Sequence, residues 1–138
     1  MVSELIENGF GDKDREDYSC SERILYGSNE VYNLGLDKES LKMAAGLSGG
    51  IYSRRSCGAV TASAMVLAKL FVKDRAHEGD YHKELISELV SRYEEEMGSS
   101  LCQTLLDEYR TEQEGCRRVI IAAARILDDI INRELNRK

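Results

Sequence analysis

From Asp17 onward, apolar residues recur at helical spacing. Cys20, Ile24, Gly27 and Val31 are separated by four, three and four residues, which places them on one helix face. Asn33 and Gly35 read as the stop of that helix, and Asp37 as the N-cap of the next, with Ser40 following. The second helix carries Leu41, Ala44 and Ala45 and ends at Gly46, where a glycine-bearing loop over 46–56 begins. A third helix is predicted over about 57–73. Its stripe is Cys57, Val60, Thr61, Ala64, Leu67, Ala68 and Phe71, and it has almost no polar face, as a helix at the centre of a bundle would. Gly58, Ala59, Ala62 and Ser63 are small enough to let neighbouring backbones come close.

After a polar connection over 74–80, a fourth helix (about 81–97) sets Leu85, Ile86, Leu89, Val90, Tyr93 and Met97 against a charged side ending in Glu94, Glu95 and Glu96. Gly98 stops it, and Ser99 or Ser100 can cap a short fifth helix with Cys102, Leu105, Leu106 and Tyr109 inward. The last helix, about 114–136, has a narrow stripe of Cys116, Val119, Ile120, Ala123, Leu127, Ile130 and Ile131. No segment has the alternation of a strand. The expected fold is therefore all-α, a single-domain bundle of five to six helices. Residues 17–138 would form the four-cysteine bundle domain, with 1–16 as a flexible segment or short leading helix.

Composition narrows the class of partner. The chain of 138 residues carries a net charge of -6, which argues against nucleic acid and against an anionic membrane surface. The most apolar stretch, Ala59 to Val72, is interrupted by Thr61, Ser63 and Lys69 and is too short to span a bilayer. The first residues lack a basic region followed by an apolar run, so a cytoplasmic location is expected. Absence of proline leaves helices uninterrupted.

The four cysteines are the chemically unusual feature. In a reducing compartment they read as metal ligands, redox thiols or buried small hydrophobes rather than structural disulfides. Each lies on an apolar stripe and near the start of its predicted helix. There, unpaired N–H groups and the helix dipole favour a thiolate. Arg54 and Arg55 precede Cys57, and Arg117 and Arg118 follow Cys116; cations aimed at the sulfurs would act in the same direction. In an up-and-down bundle Cys20, Cys57 and Cys102 start helices at one end. Cys116 could join them if the short fifth helix lies across the bundle mouth. No two of the four form C-x-x-C, so neither a zinc ribbon nor a thioredoxin motif is present. A non-local four-thiolate site for zinc or an iron–sulfur cluster stays open.

Cys20, then Cys57-Gly58-Ala59-Val60-Thr61-Ala62, then Cys102, then Cys116 resembles a small bacterial and archaeal family described as redox-active and named for its C…GCAxxG…C…C pattern. Ser19-Cys20-Ser21-Glu22 with Ile24-Leu25 is similar to that family's first-helix start. Leu41 to Gly50 resembles its Ala-rich helix and glycine loop, and Ser99-Ser100-Leu101-Cys102 its Gly-Ser-x-x-Cys segment. The likeness covers about 18–131. Ala62 stands where the motif ends in Gly, and Ile51-Tyr52-Ser53-Arg54 stands where Gly and Met are usual. The resemblance implies redox chemistry through Cys20, Cys57, Cys102 and Cys116, either as thiols or around a bound cluster, with a redox partner protein. It supplies no substrate. Cys57 reads as the central residue, with Cys20 as its partner.

Other candidates are blander. Gly46, Gly49 and Gly50 precede a helix, but without a strand, a Lys-Ser/Thr ending or G-x-G-x-x-G they read as a turn. Should the loop hold a cofactor, Gly49, Gly50, Arg54 and Arg55 are the residues that would touch it. His77 and His82 read as solvated, Glu94 to Glu96 as a solvated face, and the Leu85 to Met97 stripe as core. Tyr18, Tyr26 and Tyr32 are too scattered for a base-stacking platform. A helical interaction protein with buried thiols, alone or as a homo-oligomer, is the remaining alternative.

Overall fold

The computed structural model describes residues 1–137, and among them are seven α-helices and no strand: α1 (Val2–Glu7), α2 (Cys20–Tyr32), α3 (Lys38–Leu41), α4 (Gly58–Phe71), α5 (Tyr81–Met97), α6 (Cys102–Tyr109) and α7 (Arg117–Leu135). The expected all-α bundle is what forms. No helix of the described residues is long and apolar enough to cross a membrane.

Local chemistry sets the boundaries. Ser19 caps α2: its side chain accepts from the Glu22 N–H, and the Glu22 carboxylate accepts from the Ser19 N–H. Asp37 caps α3 by accepting from the Ser40 N–H at 2.8 Å. The predicted second helix is only partly α, since Lys42–Leu47 tightens into a 3-10 turn. Gly98, left-handed at φ 86°, ends α5. The fifth helix starts later than either serine cap would place it. Leu101 is its N-cap, and the Ser99 hydroxyl accepts from the Leu101 N–H outside the helix.

Helix α4 occupies the centre, packed against α2, α5 and α7. Ala59, Ala62, Ser63, Val66 and Leu67 are buried, so the small-residue face lies against neighbours as fully as the larger stripe does. The leading segment forms a helix rather than fraying. Val2 and Ile6 of α1 are fully buried against α2 and α7. The Asp128 carboxylate of α7 accepts from the Val2 N–H (3.0 Å), the Ser3 N–H (2.9 Å), the Ser3 hydroxyl (2.8 Å) and the Tyr32 hydroxyl (2.5 Å). A carboxylate distant in sequence thus satisfies the orphan amides that begin α1.

The glycine-bearing loop before α4 departs most from ordinary backbone. Gly49, Gly50, Ile51, Tyr52 and Arg54 all have φ between 53° and 65°, a left-handed turn closed by the Arg55 N–H donating to the Gly50 carbonyl at 3.0 Å. Left-handed backbone costs roughly 1–2 kcal/mol for a residue with a side chain. Ile51 and Tyr52 bear that cost in the open, with their side chains exposed.

Candidate functional site

Every cysteine sits where a helix begins. Cys20 is the first residue of α2 and Cys102 of α6, while Cys57 and Cys116 are the N-caps of α4 and α7. Cys57 and Cys102 are buried; Cys20 and Cys116 are partly exposed; all four are free thiols.

Backbone contacts hold these helix starts together. The Cys57 N–H donates to the Ser100 carbonyl (2.8 Å), and the Cys102 N–H donates to the Arg55 carbonyl (2.6 Å). Between them Ser56 and Leu101 form an isolated antiparallel bridge. The left-handed turn brings Gly50 against Cys102: a Cβ at Gly50 would meet the Cys102 Cβ at 2.8 Å and the Arg55 nitrogen at 2.5 Å. Gly58 plays the same part for Cys20. A Cβ there would lie 2.9 Å from the Cys20 sulfur and 2.9 Å from the Leu47 carbonyl oxygen. A serine chain secures α2 to the loop. The buried Ser21 hydroxyl donates to the Ala44 carbonyl (2.7 Å), and the Ser48 hydroxyl donates to Ser19 (2.7 Å). The Gly49 N–H faces the Cys20 sulfur.

The four sulfurs share one electrostatic neighbourhood. Charge on Cys20 opposes ionisation of Cys57 and of Cys116, and charge on Cys102 opposes ionisation of Cys20. Cys20 is therefore coupled to each of the other three. Cys116, at the start of α7, feels charge on Cys20 and Cys102.

Burial reverses the expected low thiol pKa values. Desolvation is the largest influence on Cys20, Cys57 and Cys116 and pushes each thiol up, Cys57 to about 12. The helix-start effect is present but smaller. The Ala59 and Val60 N–H groups face the Cys57 sulfur and lower its pKa without forming a capping hydrogen bond. Nor do the neighbouring arginines act as the sequence suggests. Arg117 turns to the Glu7 carbonyl and Asp12, and Arg118 lies over the Tyr109 ring, 5.1 Å from its centre. The cations that favour the Cys116 thiolate are instead Arg110 and Arg23, which fold in from other segments.

The loop residues expected to cradle a cofactor divide into two pairs. Gly49 and Gly50 pack against Cys20 and Cys102, whereas Arg54 and Arg55 have exposed side chains. His77 is exposed as expected, but His82 is buried, a correction that follows from α5 turning it inward against the 73–80 connection. Among the described residues, no group of three or more His, Cys, Asp or Glu side chains is arranged to hold a metal ion.

One residue of the site reads in the sequence only as core. Tyr93 is fully buried on α5, and its hydroxyl donates to the Val119 carbonyl at 3.2 Å. It also faces the Cys57 thiol and feels charge on Cys57, Cys20 and Cys116. A polar-ended aromatic on an otherwise apolar stripe is the available signal, because a buried tyrosine hydroxyl must find partners.

A search of curated proteins and a search of solved structures each find no match to this chain. A family model does match, over residues 18–130, which takes in all four cysteines and the helices that begin with them. Its pattern writes Gly before Cys, where this chain has Cys57 before Gly58. By that match over most of its length, the chain belongs to the family described as "Putative redox-active protein (C_GCAxxG_C_C)".

Proposed function

We propose that this protein is a thiol–disulfide redox protein in which Cys20 is the shared sulfur. The observation that carries the reading is the close approach of the starts of α2, α4 and α6, where Cys20, Cys57 and Cys102 lie, together with the charge influence of Cys20 on Cys57 and Cys116. In the oxidising direction, a cysteine thiolate attacks a partner disulfide and releases one partner thiolate. A second cysteine thiolate then attacks the resulting mixed disulfide. An internal disulfide forms, the second partner thiolate leaves, and two electrons have passed to the partner. Partly exposed Cys116 and Cys20 are suited to the first attack, and buried Cys57 and Cys102 to the second.

High thiol pKa values fit a protein whose thiols are inert until a partner brings a base or a positive charge to the site. They also slow uncontrolled oxidation, which follows thiolate content. Ligation of zinc or an iron–sulfur cluster by the same four sulfurs has less support, because no ligating group is assembled among the described residues.

The test is equilibration of the reduced protein in dithiothreitol redox buffers, followed by thiol counting and disulfide mapping. Loss of two thiols at a defined potential, with Cys20 in the mapped bridge, is expected. Four free thiols throughout, or a bridge without Cys20, would overturn the reading. Metal analysis of anaerobically purified protein distinguishes ligation: stoichiometric zinc or iron with no titratable thiol favours it.

A further inference from the structure

We propose that the left-handed turn over residues 50–55 is a lid on Cys102, closed against the backbone preference of its own residues and opened without unfolding the helices on either side. Its functional meaning rests on the redox reading above, in which the second attack falls to a sulfur that the resting protein keeps buried.

The turn covers Cys102 from its amide to its side chain. The Cys102 N–H donates to the Arg55 carbonyl at 2.6 Å, and the Arg55 N–H donates to the Gly50 carbonyl at 3.0 Å. Gly50 lies so close that a Cβ on it would stand 2.8 Å from the Cys102 Cβ. Cys102 is left 8% exposed.

The closed turn asks three residues for a conformation they disfavour. Ile51 (φ 62°, ψ 37°), Tyr52 (φ 53°, ψ 22°) and Arg54 (φ 56°) are all left-handed. There the Cβ crowds the following carbonyl oxygen, most severely for a β-branched residue such as Ile51. Burial of these side chains would offset that penalty, but Ile51 is 53% exposed and Tyr52 75% exposed, and Arg54 is exposed as well. The side chains therefore add little to the closed form, while their backbones favour the open one. Such strain lasts only where contacts elsewhere over-determine it. Here those contacts are the ones made to Cys102.

Both ends of the turn are anchored outside it. On the N-terminal side the Ser48 hydroxyl donates to the Ser19 hydroxyl at 2.7 Å. On the C-terminal side the Cys57 N–H donates to the Ser100 carbonyl at 2.8 Å. Gly49 and Gly50, at φ 60° and 65°, form a hinge without steric penalty. Opening thus breaks the Arg55 and Cys102 amide bonds together and leaves α2 and α4 in place.

The test compares the native chain with Tyr52→Ala and Tyr52→Gly. Both variants remove the ring, and only glycine relieves the left-handed backbone. Two rates are followed at one fixed pH: hydrogen exchange of the Arg55 and Cys102 amides, where exchange follows the opening equilibrium, and alkylation of Cys102 by iodoacetamide. Both should be nearly insensitive to low urea, because a local opening exposes little surface, whereas exchange of the Leu67 amide in the buried middle of α4 should rise with urea. Both should be about two- to tenfold slower in Tyr52→Gly than in Tyr52→Ala, the left-handed penalty less the extra freedom of an open glycine. Equal rates in the two variants, or rates that climb with urea as steeply as that of Leu67, would overturn the proposal. Neither measurement requires a disulfide. A lid that opens in a protein that never forms a bridge removes the redox reading and leaves the lid; a bridge that forms while the two variants behave alike removes the lid and leaves the redox reading.

Discussion

The Cys20 sulfur and the Gly58 backbone are packed so closely that a single methyl group on Gly58 would lie 2.9 Å from the sulfur. The same methyl would meet the Leu47 carbonyl oxygen at 2.9 Å and the Ser21 Cβ at 3.2 Å. Gly58→Ala is thus a test of two opposing effects. Alanine improves helix propensity by about 1 kcal/mol. Overpacking against a backbone carbonyl and the Ser21 Cβ costs about 1–3 kcal/mol. Because two of the three atoms met cannot swing aside, packing should win. The variant is expected to melt lower than the native chain, with Cys20 more readily alkylated as α2 moves off α4. An unchanged or higher melting temperature would show that the approach of these helices is not fixed.

Stability should fall as the solution becomes alkaline. A thiol is charged when deprotonated, and Cys57 holds its proton in the folded chain up to about 12, against about 8.5 in an unfolded one. Between those values the unfolded state binds fewer protons, so the slope of unfolding free energy with pH is negative. The contribution is fully present below about pH 8.5 and disappears by about 12. Between pH 8.5 and 10, Cys57 alone should remove about 2 kcal/mol. Cys20 and Cys116, raised in the same direction, add to the fall. Urea unfolding midpoints measured across this range provide the check, and Cys57→Ala should flatten the curve. A native chain equally stable at pH 7 and 10 would contradict the burial argument.

That pH behaviour also marks the boundary of what the sequence discloses. Helix starts are local chemistry, so Asp37, Gly98 and the position of each cysteine at its helix start could be read along the chain. The centrality of α4 was legible too, because a helix with no polar face has to be covered on all sides. The sign of the thiol shifts was not legible. It depends on how far neighbouring segments exclude water from the sulfur, and α4 to α7 are brought there by contacts remote in sequence. For the same reason Arg110 and Arg23 replaced the adjacent arginines beside Cys116. The left-handed turn through Ile51 and Tyr52 runs against the backbone preference of both residues, so no propensity argument could find it.

Asp128 is the clearest long-range surprise, and it predicts how the N-terminal helix is held. Four hydrogen bonds from Val2, Ser3 and Tyr32 converge on one buried carboxylate. Asp128→Ala leaves two amides of α1 and two hydroxyls without their acceptor. Each unsatisfied buried group costs about 1–3 kcal/mol, less whatever water recovers. The expected loss is about 2–4 kcal/mol. It should be accompanied by rapid amide exchange in α1 and early proteolysis near Glu7. Protection of α1 equal to that of the native chain would mean that Val2 and Ile6 hold the helix by burial alone.

Arg110 offers the cleanest test of the electrostatics around the most approachable part of the cluster. Its charge favours the Cys116 thiolate, and its side chain forms no ion pair among the described residues. Arg23 acts in the same direction but also binds Asp12 at 3.4 Å, so removing it would free a carboxylate and confuse the result. Arg110→Ala subtracts one cation and nothing else. Cys116 is only partly exposed, so its surroundings screen charge less than bulk water would. The rate of Cys116 alkylation at neutral pH, which follows thiolate fraction, should fall about two- to tenfold. Arg110→Lys should recover most of it. Raising the salt from low to molar concentration should shrink the gap between native and Arg110→Ala protein, because ions then screen the cation from the sulfur. Equal labelling rates at low salt would place the control of Cys116 elsewhere, in burial and in the charges of Cys20, Cys102 and Arg23.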